Sequence, residues 1–208
     1  FHKVAGLSVE DDWTVYPRYG VVAGSKDNHN SITKEQVEGY KNSIDQLANM
    51  HINNYFFYDV YNTPANPFPA NVERFTQDWA TFLIPKGETD PEKRKTYLPV
   101  IDTDAVKELV SHVHSTGAKA MLYNMIYAVS LDEKIPDQVK SAIVRNLQDH
   151  FNFGKTGDIT ATDIQQFLDP GDPNWQNFII NVMLKAMKEG GFDGWQGDTM
   201  GTNLVEKV

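Results

Sequence analysis

Near its C-terminal end the chain reads Gly191-Phe192-Asp193-Gly194-Trp195-Gln196-Gly197-Asp198-Thr199-Met200-Gly201. These residue types describe a short apolar strand that stops on a carboxylate, Asp198. Glycines around it let other groups approach the backbone closely. A carboxylate kept ionised by hydrogen-bond donors can attack an electrophilic carbon or take a proton from water. Gln196, Thr199 and the local backbone N–H groups are candidate donors. With a second carboxyl group opposite it to protonate a leaving oxygen, such a carboxylate can cleave a glycosidic bond. Spacing alone leaves another use open, because an aspartate among glycines also fits a turn. Asp193, five positions earlier, fits better as a residue that caps backbone groups where the chain enters the strand.

Other polar side chains fall at the ends of apolar runs. Residues 54–61 are almost continuously aromatic and carry Asp59 and Tyr61 at their end. Residues 119–129 carry Asn124 and Tyr127. If these ends converge, Asp59, Tyr61, Asn124, Tyr127, Trp195 and Gln196 line one site around Asp198. Asp59 reads equally as a buried, hydrogen-bonded carboxylate or as an acceptor for a substrate hydroxyl. Asn124 and Tyr127 read as ligand contacts or as supports for them. His112 and His114 are two apart on a helix and do not share a face, so they are no metal pair. Asp158, Asp169 and Asp172 could bind calcium, but Asp172 is better explained as a helix cap, and no metal motif stands out from background. The expectation is no metal and no cofactor.

The elements that must position these residues alternate. Residues 19–24 form a short apolar run between glycines. Thr33 then opens a helix with Gln36 as its capping-box partner, and Val37, Tyr40, Ile44, Leu47 and Ala48 mark its apolar face. The run at 54–61 is a second strand, buried on both faces. A long segment, 62–100, follows with six prolines; Phe75, Trp79, Phe82 and Leu83 suggest one short helix inside it. Asp102 or Thr103 caps the next helix, which Gly117 ends. Residues 119–129 are the third run, and the excursion after it, 130–169, includes a helix from 136 to about 150. Asp172-Pro173 opens the best helix, Gly190-Gly191 closes it, and the terminal strand follows.

Buried strands joined by helices imply parallel pairing and α/β architecture. A doubly wound sheet usually carries a glycine-rich phosphate turn after its first strand, and Gly20-Val-Val-Ala-Gly24 lacks that pattern. Long excursions after strands and short connections before them favour a (β/α)8 TIM barrel with its chemistry at the C-terminal strand ends. A full barrel takes about 250 residues. Only about the first four β/α units are therefore expected in this chain.

The formal charge of −9 argues against nucleic acid as a partner and fits a neutral one. The absence of cysteine removes disulfide and thiolate chemistry. No apolar run approaches the roughly 20 residues of a membrane span. The N-terminus has neither an initiator Met nor the pattern of a signal peptide, so the chain reads as a piece of a larger or processed protein.

Several motifs together resemble glycoside hydrolase family 66, the family of dextranases and cycloisomaltooligosaccharide glucanotransferases. They are Asp11-Asp12-Trp13 with Pro17-Arg18-Tyr19-Gly20, the run from Tyr55 to Asp59, Tyr123-Asn124-Met125-Ile126-Tyr127-Ala128, and above all Phe192-Asp-Gly-Trp-Gln-Gly-Asp198. The resemblance implies a (β/α)8 catalytic domain after an N-terminal β-sandwich. Residues 1–15 would then be a linker from that preceding β-domain, and residues 16–208 the N-terminal half of the catalytic domain. It implies a retaining endo-hydrolase of α-1,6-glucan, dextran or isomaltooligosaccharide, with Asp198 as nucleophile. The acid/base is a Glu on a later strand; Glu206 stands too close to match it, and the fragment alone is expected to be inactive. A secreted or cell-surface bacterial protein, monomeric at full length, goes with the resemblance. The alternatives are a ring-closing transglycosylase and a non-catalytic sugar-binding barrel. The 130–169 excursion is short for a carbohydrate-binding module, which leans towards hydrolysis.

Overall fold

A computed structural model describes residues 19–22, 31–130, 133–144 and 165–198. The linker expected at 1–15, Asp158, Thr199 and Glu206 lie outside these residues. In chain order the elements are β1 (Tyr19–Val22), α1 (Val37–Asn49), β2 (Asn54–Phe57), β3 (Arg74–Thr76), α2 (Pro91–Thr96), β4 (Val100–Asp102) and α3 (Thr103–Ser115). There follow β5 (Lys119–Met125), β6 (Ala128–Ser130), β7 (Gln165–Phe167), α4 (Pro173–Gly190) and β8 (Gly194–Asp198).

Strands β1, β2, β5 and β8 lie side by side in chain order, and every neighbouring pair is parallel. The order never reverses, as it would at the switch point of a doubly wound sheet. Side chains alternate between the faces of a strand, so the register defines two sets of rows. One set is Gly20–Tyr55–Ala120 and Val22–Phe57–Leu122. These residues are buried against the apolar stripes of α1, α3 and α4: Ile44, Leu109, Val113, Trp175 and Met183 among others. Each such side chain contributes about 1.5–3 kcal/mol by leaving water. The opposite face is less covered near its middle. There Val21 is 55% exposed, and Phe56 and Met121 are half-buried.

The helix ends follow the sequence. Asp172 caps α4 by accepting from the N–H groups of Asn174 at 2.7 Å and Trp175 at 3.2 Å. Pro173 fills the first helical position, and Gly191, at φ 77°, ends the helix in the left-handed conformation. The Thr33–Gln36 capping box is present, but it opens a 3₁₀ turn, Lys34–Gln36, that leads into α1. Asp102 stands before α3 without capping it; its carboxylate is engaged by Arg74 Nε at 2.5 Å and by the Lys34 N–H at 3.0 Å.

Four expectations need correction. The aromatic run does not stay extended to Tyr61, because β2 ends at Phe57 and the chain turns at residues 58–59. Residues 62–100 hold more than one short helix. Phe75 lies in β3, which pairs antiparallel with β4, and a 3₁₀ segment (Asp78–Leu83) and α2 intervene. The run at 119–129 is two strands, since a bend at 126–127 separates β5 from β6, and β6 pairs antiparallel with β7. At 136–150, the described part is a 3₁₀ turn, Asp137–Ala142. It stops because Ile143 is extended and bridges Leu168; residues 145–150 lie outside the described set.

Candidate functional site

The C-terminal ends of β2, β5 and β8 carry an aromatic cluster. Asp198 closes β8 in register with Met125, and Gln196 is in register with Tyr123. Tyr123 is buried, with its ring 4.4 Å from that of Tyr58 and 5.8 Å from that of Tyr61. Tyr61 in turn stacks on Trp79 at 5.0 Å and an interplanar angle of 3°. Tyr127, in the bend after β5, packs its ring 5.9 Å from Phe167. Tyr58 is 37% exposed and gives the cluster an accessible face, whereas Tyr61 is 1% exposed and supports it from beneath. The Gln196 Oε1 atom is buried and has no hydrogen-bond partner among the described residues.

Asp59 lies in the turn beyond β2, half-buried, with φ 53°. The left-handed conformation costs a non-glycine residue about 1–2 kcal/mol, least for Asp and Asn. The turn is held from two sides. The Tyr58 N–H donates to the Val22 carbonyl at 3.2 Å. The Gln77 side-chain amide donates to the carbonyls of Asp59 and, at 2.7 Å, of Tyr61.

Two of the expected site residues face elsewhere. Asn124 is fully buried, and its Nδ2 lies 3.0 Å from the Pro64 carbonyl and 3.0 Å from Met183 Sδ of α4. It therefore sits on the helix-covered face of β5, one residue out of phase with Tyr123 and Met125. Trp195 is in register with Leu122, again on that face, and is 38% exposed at the sheet edge. Strand alternation separates both from the face of Tyr123 and Gln196. Tyr61, Tyr127 and Gln196 do converge with the end of β8, and Asp59 lies in the same turn as Tyr58 and Tyr61.

Tyr58, Gln77 and Glu133 were not singled out from the sequence, and Trp79 only as part of a short helix. Glu133 Oε1 accepts from the Thr63 hydroxyl and, at 3.0 Å, from the Ala65 N–H, tying the segment after β2 to the one after β6. Tyr58 stood within the aromatic run, where nothing distinguished it from its neighbours. No spacing rule would find Gln77 or Glu133, whose partners are long-range.

The opposite end of the sheet differs. Asp193 accepts from the Ala120 N–H at 2.9 Å and from Lys119 Nζ at 2.9 Å, and His114 Nε2 lies 2.8 Å away. Partial burial alone would raise its pKa, but the Ala120 N–H, Lys119 and His114 outweigh this and hold the carboxyl below its ordinary value. Asp193 therefore acts in structure, as its position before the strand suggested. His112 pairs separately with Asp45 at 2.7 Å, so the two histidines share no ligand.

A chain-ordered parallel sheet, helices packed on one of its faces, and an aromatic and amide cluster at the C-terminal strand ends define an α/β protein. Solved structures agree on the fold. A Paenibacillus sp. cycloisomaltooligosaccharide glucanotransferase, complexed with cycloisomaltoheptaose, superposes with a TM-score of 0.61 at 22% identity, over 94% of this chain and 25% of that one. A noncanonic maltogenic α-amylase from Thermotoga neapolitana gives 0.53 at 13%, over 89% and 40%.

The chain belongs to glycosyl hydrolase family 66, whose pattern it matches over residues 2–208. It is 47% identical over 208 residues to a dextranase of Streptococcus salivarius, covering 98% of this chain and 23% of the relative. It is 27% identical over 202 residues to a cycloisomaltooligosaccharide glucanotransferase of Niallia circulans, covering 94% and 18%. The chain thus spans about a fifth to a quarter of the length of these relatives.

Proposed function

We propose that this chain is the first half of a (β/α)8 catalytic barrel in a retaining endo-hydrolase of α-1,6-glucan, with Asp198 as its nucleophile. The observation that carries the reading is the 47% identity to a dextranase across nearly the whole chain, with Asp198 at the tip of a parallel strand beside the aromatic cluster. The half-barrel is supported by the strand order β1-β2-β5-β8, by the packing of α1, α3 and α4 on one face, and by the partial exposure of Val21, Phe56 and Met121 on the other. That second face is the one a closed barrel would fill with its remaining strands.

In this reading Asp198 attacks the anomeric carbon while a second carboxyl group protonates the departing glycosidic oxygen. The same group then removes a proton from the water that hydrolyses the glycosyl-enzyme. The family resemblance assigns it to a Glu on a later strand. Tyr58 offers an aromatic face to a sugar ring, and the Gln196 carbonyl oxygen, without a partner among the described residues, can accept a substrate hydroxyl. A polymeric substrate fits an enzyme that works outside the cell or on its surface.

The test uses the full-length protein on dextran. Linear isomaltooligosaccharides released first in the α configuration, followed by NMR, are expected. Initial release of the β-anomer overturns the retaining mechanism. Predominantly cyclic products would assign the protein to ring closure, and no turnover at all would leave a sugar-binding barrel.

A further inference from the structure

Gln77 is fully buried, yet no chemistry at the strand ends uses it directly. Its amide nitrogen donates to two carbonyls of one turn, those of Asp59 and Tyr61. Its backbone carbonyl accepts from the Ala80 N–H at 2.9 Å, at the start of the 3₁₀ segment that carries Trp79. Its N–H donates to the Pro99 carbonyl at 2.9 Å, next to β4. One residue thus joins three segments: the Asp59–Tyr61 turn, the Trp79 helix and the entry to β4. Between the first two, the Tyr61 and Trp79 rings are stacked.

We propose that Gln77 is a positioning residue for the sugar-binding surface: it fixes the left-handed turn at Asp59 so that Tyr58, Asp59 and the Tyr61–Trp79 stack are presented together at the C-terminal strand ends. The inference rests on the reading of those ends as the glucan site. The geometry demands a donor with two N–H bonds on one nitrogen, because two carbonyl oxygens converge there. A buried carbonyl that loses its donor is left unsatisfied, and the turn then relaxes to satisfy it. Tyr58 follows directly, since it precedes Asp59 in that turn. Asp198 does not, since it is carried by β8. Loss of Gln77 should therefore weaken substrate binding and leave the chemical step nearly intact.

The experiment compares full-length wild type with Gln77→Met, which keeps the volume but removes the donor, and with Gln77→Glu. Steady-state kinetics on dextran and thermal unfolding are measured between about pH 4 and pH 8. For Gln77→Met, KM is expected to rise about tenfold, with kcat within about threefold of wild type. In Gln77→Glu the buried carboxyl faces two carbonyls and is a donor only when protonated. Its KM, taken as a ratio to wild type at each pH, should fall towards one on acidification; Asp59 and the catalytic carboxyls titrate in both proteins and cancel in the ratio. A wild-type KM in Gln77→Met overturns the proposal. So does a Gln77→Glu ratio that stays flat with pH, or failure of both variants to fold at any pH, which would make Gln77 a core residue only. A wild-type protein inactive on dextran would instead sink the functional reading.

Discussion

The two ends of the parallel sheet are built from opposite chemistry, although one short strand runs between them. At the N-terminal end Asp193 meets an ammonium, an imidazole and a backbone N–H, and its charge is spent on joining β8 to α3 and β5. At the C-terminal end tyrosines and a tryptophan pack together, the Gln196 amide oxygen in register with Tyr123 has no hydrogen-bond partner among the described residues, and the strand terminates on Asp198. A carboxylate satisfied by three neighbours has little left to offer a substrate. Carboxylate identity therefore does not separate structure from chemistry here; the end of the strand does, as expected where strands in parallel sheets present their C-terminal tips to ligands.

The sharpest way to break the contrast is to remove each carboxylate in the full-length protein. Asp198→Gly is expected to lower kcat on dextran by at least about 10⁴-fold with the unfolding temperature unchanged. Near-normal turnover would remove the chemical end of the comparison altogether. Next in size is the helix layer that holds both ends in place. Trp175 is 1% exposed, and its indole N–H donates to the Ile126 carbonyl at 2.9 Å. Trp175→Ala should destabilise the domain by about 3–5 kcal/mol in denaturant unfolding.

Smaller effects sharpen the contrast. Tyr58→Ala should raise KM about tenfold and barely shift the unfolding temperature, because this ring is partly exposed while Tyr61 carries the packing. An unchanged KM would show that sugars do not reach this face. Asp193→Asn should cost roughly 1 kcal/mol of stability at neutral pH and leave kcat untouched. Its pH dependence has a definite sign. The folded pKa is lowered from the ordinary 3.8, so between the two values the unfolded chain binds more protons and stability rises with pH. The gap between wild type and Asp193→Asn should hold above about pH 4 and close as pH falls through the lowered value. A gap that persists at lower pH would mean that the ion-pair network is not its source.

The helix signals proved legible because they are local. Asp172-Pro173 and Gly191 act on N–H and C=O groups within a turn of themselves, and the Thr33–Gln36 box spans three residues. The strand faces were not legible. The runs at 54–61 and 119–129 are apolar apart from Asn54, Asp59, Lys119 and Asn124, and a strand buried on both faces has no period-two pattern to say which residue looks which way. Asn124 was accordingly grouped with Tyr127, while the structure turns it to Met183 and the helix layer. Trp195 was grouped with Gln196 on the same grounds, and register with Leu122 puts the two on opposite faces. The pairings β3–β4 and β6–β7 were hidden within long excursions because strands of three residues leave almost no periodic trace.

By itself the sequence determined the alternation of strands and helices, the points where α4 begins and ends, and a carboxylate at the close of β8. It also separated Asp193, at the entrance to that strand, from Asp198 at its exit. Local backbone chemistry suffices for all of these. Only the tertiary structure decided which faces the strand residues occupy, that Tyr58, Tyr61 and Trp79 form one cluster, and that Gln77 clasps a turn 18 residues earlier in the chain. Those outcomes depend on register between distant segments and on the long-range hydrogen bonds of a buried amide, and no spacing along the chain encodes them.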